Sequence, residues 1–173
     1  MSLIRKAIGS LAWAASILML AAVPALAQPL AKPADRAFLE VTGKVKVTND
    51  GDKAVFDLAL LESIGKVKIK TSTAWTEGTP EFEGVNLKTL FDRLGASGET
   101  VTAVALNDYK VEIPMADFQR YPVILAYRMN GELLRVREKG PLWIIYPQDE
   151  FPALKNKETQ AKWVWQVKEL RVR

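Results

Sequence analysis

The apolar residues of this chain change their spacing every few residues, and no single period runs long enough for a helical bundle or a repeat array. Leu39, Val41, Val45 and Val47 mark a first extended segment ending at the turn Asn49-Asp50-Gly51-Asp52. Phe56, Leu58, Leu60 and Leu61 then fit a short helix over 55–64, stopped by Gly65. Val67 and Ile69 alternate with Lys66, Lys68 and Lys70, as a half-buried strand would. Val85, Leu87, Leu90, Phe91 and Leu94 return to helical spacing, and Gly95 closes that helix. Residues 101–106 and 109–113 predict strands joined by Asn107-Asp108, and 115–121 predicts one or two helical turns. Asn130-Gly131, between extended stretches 123–129 and 133–136, is the strongest hairpin signal in the chain. Residues 142–146 read as an apolar strand, and 163–172 as a last strand with Trp163, Trp165, Val167 and Leu170 loosely on one side. About eight strands with two or three short helices predict an α+β, β-rich mixed-sheet domain.

The N-terminus sets the expected location. Arg5 and Lys6 precede an uncharged apolar run, and Pro24-Ala25-Leu26-Ala27 supplies a small-x-small cleavage site, the layout of a secretory signal peptide. We read residues 1–27 as that signal, 28–37 as a flexible leader with Pro29 and Pro33, and 38–173 as one domain exported to the periplasm. Cleavage after Ala27 lowers the formal charge from +4 to +2, because it removes Arg5, Lys6 and no acidic residue. A nearly neutral domain without basic runs gives no reason to expect a nucleic-acid partner.

The chain has no cysteine and no histidine. Disulfides, thiolate or imidazole metal ligands and a Ser-His-Asp triad are therefore excluded. No Gly-rich phosphate loop, nucleophile elbow or metal-ligand spacing is present either.

Five landmarks, in order, resemble a known family. Phe82-Glu83-Gly84-Val85-Asn86-Leu87-Lys88-Thr89-Leu90-Phe91 is similar to the Trp/Phe-x-Gly-Val-x-Leu-x-x-Leu-Leu stretch of the sulfite-oxidase-type molybdopterin-binding domain. Asn107-Asp108-Tyr109 with Ile113-Pro114 resembles its Asp-Gly-Tyr…Ile-Pro stretch, and 124–131 its Leu-Ala-Tyr-x-Met-Asn-Gly hairpin. Gly140-Pro141 through Pro147 resembles its Gly-x-Pro-x-Arg-hydrophobic-Val-x-Pro segment, and Lys162-Trp163 falls where the family has Val-Lys-Trp. The resemblance implies that family's fold. In its catalytic members a cysteine thiolate binds molybdenum, and the corresponding position here falls near Thr71 or Ser72, whose hydroxyls are poor substitutes. Trp143 also stands where the family carries a basic residue.

The resemblance is nearest to a small exported branch with Thr-x-Thr-x-Trp-Thr-x-Gly and Trp-x-Trp-Gln elements. That branch implies pterin sensing coupled to membrane signalling proteins, including cyclic-di-GMP enzymes. The expectation is a non-catalytic periplasmic pterin-binding protein, with a reduced pterin or molybdopterin-like group as ligand, no protein-ligated metal and a membrane sensor's periplasmic domain as partner. The alternative is a molybdopterin-dependent oxidoreductase whose metal is held through the cofactor and perhaps Ser72 or Thr71.

Holding a pterin takes a carboxylate facing its donor edge, an amide or backbone donor for its carbonyl, and an aromatic or guanidinium plane for stacking. Asp108, between Asn107 and Tyr109, is the first choice for the edge, and an Asx-turn is the competing role. Trp75, in the loop with Thr73, is a candidate for stacking or for capping the core. Trp163 is read as core or platform, and Lys162 is recommended by its family position alone. Arg137 and Lys139, before Gly140-Pro141, are candidates to meet a phosphate or polar pterin tail, and a solvated loop is the competing role.

Overall fold

The computed structural model describes residues 29–173, so the expected signal peptide and Gln28 lie outside the described residues. Two sheets share one apolar core. The first runs β2 (Ala54–Phe56), β1 (Leu39–Gly43), β10 (Val167–Val172), β5 (Thr100–Ala105), β6 (Lys110–Pro114). Its β1–β10 pair is parallel and its other pairs antiparallel, so the sheet is mixed. The second runs β3 (Val67–Lys70), β4 (Glu81–Asn86), β7 (Ile124–Met129), β8 (Glu132–Leu133), with β9 (Trp143–Ile145) also paired to β7.

Sequence pattern explains which strands are central. In β1, Leu39 and Val41 are fully buried and alternate with half-buried residues, as for a strand with one face on the core. In β5 and β7, near-continuous apolar runs place them inside their sheets, and nearly every residue is buried. β3 lies at a sheet edge, with Val67 exposed and only Ile69 packed against the core, so the half-buried expectation holds for one of its two apolar residues. The Asn130-Gly131 turn closes β7 onto β8 with both residues at positive φ (51° and 84°), as a two-residue turn of this hand requires.

Several expected boundaries shift. The helix expected over 55–64 divides into β2 and α1 (Leu58–Ile64), because Asp57 caps the helix by accepting from the Leu60 N–H at 2.8 Å. The one expected to start at Val85 divides into β4 and α2 (Leu87–Leu94), capped by Asn86 and closed by Gly95 in the left-handed region. α3 spans Met115–Arg120. The stretch 133–136 stays paired only through Leu133 and then turns into a 3₁₀ helix over Val136–Glu138. A further short helix, α4 (Lys157–Ala161), was not expected at all.

The segment read as a flexible leader is docked instead. Leu30 is buried in the core, Ala31 accepts from Asn49 Nδ2, and the N–H groups of Ala34 and Asp35 donate to Asp57 Oδ2 at 2.7 and 2.9 Å. Asp57 is 2% exposed, and backbone donors, from Asp35 first and then Leu60, hold its carboxyl below the usual range. Asp57→Ala is expected to cost about 1–2 kcal/mol as a lost cap. A carboxyl depressed in the folded state contributes stability that is complete above its unfolded value of about 4 and is lost as pH falls through the folded one. The wild type therefore destabilises more steeply on acidification below about pH 4 than Asp57→Asn does, which urea titrations at stepped pH would read.

Candidate functional site

The β3–β4 connection carries a tryptophan over the core. Its first turn is fixed by hydroxyls: Thr73 Oγ1 accepts from the Trp75 N–H at 3.0 Å and lies 2.8 Å from Thr76 Oγ1. Trp75 is 36% exposed, and its ring contacts three other tryptophans edge-on or tilted, Trp143 at 6.2 Å, Trp163 at 6.0 Å and Trp165 at 5.3 Å between centroids. Trp143, on β9, forms the fully buried base of this group and meets Phe82 edge-on behind it.

Trp163 and Trp165 come from an irregular stretch, not from the strand expected over 163–172. α4, capped by Asn156 accepting from the Thr159 N–H, ends at Lys162, and Trp163 follows directly. Ile144 then donates to the Val164 carbonyl, and Trp165 forms a lone bridge with Trp143. Gln166 adopts φ 54°, and only at Val167 does β10 begin. This turn leaves Trp163 buried and Trp165 half exposed, both against Trp75.

Between these rings and the β5–β6 turn lies a cavity of about 300 Å³. Trp75, Trp163, Val164 and Trp165 form one part of its wall; Ala105, Asn107 and Tyr109 form another; Gln160 and Ala161 of α4 complete it. A large hollow of about 570 Å³ lies elsewhere, bordered by Phe38, Leu106 and Val136 and by four charged residues. It offers no aromatic plane except Phe38, so the smaller cavity has the chemistry of a site for a flat ligand.

Four expected site residues meet at the cavity: Trp75, Asn107, Tyr109 and Trp163. Thr73 stands behind Trp75 and positions its backbone. The others lie elsewhere. Asp108 has φ 64°, which directs its carboxylate to Lys168 Nζ at 2.7 Å, and that ammonium lowers its pKa. The Asx-turn bond is made by Asn107, whose Oδ1 accepts from the Tyr109 N–H at 3.2 Å. Arg137 is 72% exposed and pairs with Glu138. Lys162 bonds Asp117 at 3.1 Å and Glu158 at 3.3 Å; burial opposes its charge, but these carboxylates outweigh burial and raise its pKa. The same Asp117 oxygen accepts from the Tyr146 hydroxyl, and Tyr146 stacks on Trp163. Lys162 thus acts as a strut behind the platform. Gln160, Ala161 and Trp165 are wall residues that the sequence did not single out.

The position near Thr71 and Ser72, where the resemblance would place a metal thiolate, is closed by hydrogen bonds. Thr71 is fully buried. Ser72 donates its N–H and its hydroxyl to Asp149 at 2.6 and 2.8 Å, and Gln148 Nε2 donates to the Ser72 carbonyl at 2.8 Å. Lys155 bonds the same carboxylate at 2.8 Å; together, Lys155 first and Ser72 next, they hold its pKa down at about 2. Among the described residues no group of three His, Cys, Asp or Glu is placed to hold a metal ion. At this position the buried Thr71 and the Asp149-bound Ser72 offer hydroxyl oxygens, which are poor substitutes for the soft thiolate of a molybdenum centre. The cavity walls do not fit a phosphate-bearing tail, because no cationic side chain lines them. The walls offer aromatic rings and two side-chain amides and no charged side chain.

A mixed sheet and a second, antiparallel sheet around one core, with an aromatic cavity between loop and turn, define an α+β domain of the sulfite oxidase molybdopterin-binding type. Residues 58–170 match the oxidoreductase molybdopterin binding domain, and the chain belongs to that family. The crystal structure of the sulfane dehydrogenase SoxCD from Paracoccus pantotrophus is similar, with a TM-score of 0.56 and 22% identity. The likeness covers 78% of this chain and 37% of that one, so this chain spans well under half the length of that relative, and at this identity the likeness concerns the fold. No curated protein matches the chain.

Proposed function

We propose that this is a non-catalytic, exported pterin-binding protein of the periplasm, which reports its ligand state to the outer domain of a membrane-bound sensor, such as one coupled to a cyclic-di-GMP enzyme. The observation that carries the reading is the cavity walled by Trp75, Trp163 and Trp165, suited to a heteroaromatic bicycle. The family's name makes a pterin the expected occupant. The Ser72–Asp149 pair, occupying the neighbourhood where a thiolate would bind metal, supports the non-catalytic half. Export rests on the signal-peptide layout of residues 1–27, and the sensor partner on the branch resemblance. For binding to signal, the partner must prefer one ligand state of the protein over the other.

Two measurements test this. Protein purified from its native periplasm is expected to release a fluorescent pterin on denaturation, and the emptied protein to bind added dihydro- or tetrahydropterin in calorimetry. Absence of both overturns the reading. Stoichiometric molybdenum in elemental analysis favours instead the oxidoreductase alternative with Ser72 or Thr71 near the metal. A pull-down with the sensor's outer domain, run with and without pterin, tests the signalling half; equal recovery counts against it.

A further inference from the structure

Resting on the pterin-binding reading, we propose that Gln160 reads the lactam edge of the ligand, and that the site selects a neutral, phosphate-free bicycle by hydrogen-bond pattern instead of by charge.

The composition of the wall carries the first part. None of the residues around the cavity is Asp, Glu, Lys or Arg. Of the ionic groups nearest in sequence, Asp108 is bound to Lys168 and Lys162 to Asp117 and Glu158; Lys110, beside Tyr109, and Lys139, whose ammonium lies 5.5 Å from the centroid of the Trp143 ring, line no part of the wall. A phosphate drawn against such a wall would lose hydration with no cation in the wall to meet it, a cost that disfavours it relative to a neutral group. A pterin ring is uncharged near neutral pH and requires no counter-ion.

Edge recognition then falls to an amide. A lactam presents a carbonyl beside a ring N–H, and a primary amide matches both, donating from nitrogen and accepting at oxygen. Two amides line the cavity. Asn107 uses its oxygen on the Tyr109 N–H. Gln160 has no side-chain partner among the described residues, so both its functions are free. Its backbone is fixed: its N–H donates to the Asn156 carbonyl, and its carbonyl accepts from the Trp163 N–H at 3.2 Å. The edge reader and the stacking platform are thus set by one short stretch of chain.

The test uses the mature protein and three matched probes: neopterin, N3-methylneopterin, which lacks the ring N–H, and neopterin triphosphate, with binding followed by tryptophan fluorescence. In the wild type, the methylated and triphosphate forms are expected to bind at least about 10-fold more weakly than neopterin. In Gln160→Leu, neopterin is expected to weaken about 10- to 100-fold and its advantage over the N3-methyl form to disappear, a change of ratio that a merely structural role would not produce. Gln160→Met serves as a second variant should leucine disturb α4. Retention of the neopterin preference in both variants, or triphosphate binding as tight as neopterin, overturns the inference and leaves pterin binding standing. Failure of neopterin, its derivatives and added dihydro- and tetrahydropterin to bind overturns the pterin reading as well.

Discussion

Trp75→Ala is expected to weaken pterin binding by about 10- to 100-fold while leaving the protein folded, because stacking on one aromatic ring contributes about 1–3 kcal/mol by alanine substitution. The geometry separates the two effects. Trp75 sits on a loop, is 36% exposed and touches its neighbours by edges, so it leaves a face available to a ligand. Trp163 also lines the cavity but is 2% exposed, stacks on Tyr146 and belongs to the core, so its removal would cost about 3–5 kcal/mol and obscure the binding result. Trp75→Phe, which keeps a ring, is expected to recover most of the affinity. The measurement is calorimetric titration with tetrahydropterin beside a thermal melt. Unchanged affinity in Trp75→Ala would mean that the loop tryptophan only caps the core, the other role open to it from sequence.

The loop that carries Trp75 links the family's fold to what this chain has made of it. At its start Ser72 is fixed by Asp149, which Lys155 holds in turn, and by Gln148. The next residue, Thr73, turns the backbone so that Trp75, three residues after Ser72, covers the cavity. On the proposed reading, the segment where the resemblance expects a metal ligand presents an aromatic surface instead.

How much of this could be read from sequence depended on whether the signal was local. Turn chemistry was legible: Asn130-Gly131 and Gly95 both take the positive φ that their residue types favour. The fold landmarks were legible for the same reason. Boundaries between unlike elements were not, because Val85 serves as the last apolar residue of a strand and also fits the helical spacing of Leu87, Leu90 and Leu94. The aromatic half of the site could be expected from loop and strand position. Its polar half could be expected only at Asn107. α4 has the sequence Lys-Glu-Thr-Gln-Ala, which carries no apolar period, so nothing marked Gln160. The choice between Asn107 and Asp108 was decided by backbone conformation, since the residue at φ 64° turns to Lys168 and its neighbour faces the cavity. Likewise, the left-handed Gln166 breaks what looked like one continuous strand, and no residue type announces it.

Gly84→Ala is expected to destabilise the protein by about 3 kcal/mol, lowering the melting temperature by about 10 °C. The reason is close approach, not a left-handed backbone. A Cβ on Gly84 would lie 2.2 Å from the Leu125 carbonyl oxygen and 2.7 Å from the Ala126 Cα, and both are backbone atoms of the central strand β7 that no rotamer change can move. Gly131→Ala is the informative comparison. A Cβ there meets nothing within 4 Å, and only its φ of 84° is strained, so its cost is expected at about 1–2 kcal/mol. Should Gly84→Ala cost no more than Gly131→Ala in paired urea titrations, the close-approach argument fails. The site is expected to suffer with the fold, because Ala126 pairs with Gly84 on one side and with Trp143 on the other. Pushing β7 away from β4 therefore moves the base of the tryptophan group, and pterin affinity in Gly84→Ala is expected to fall although the residue touches no part of the cavity wall.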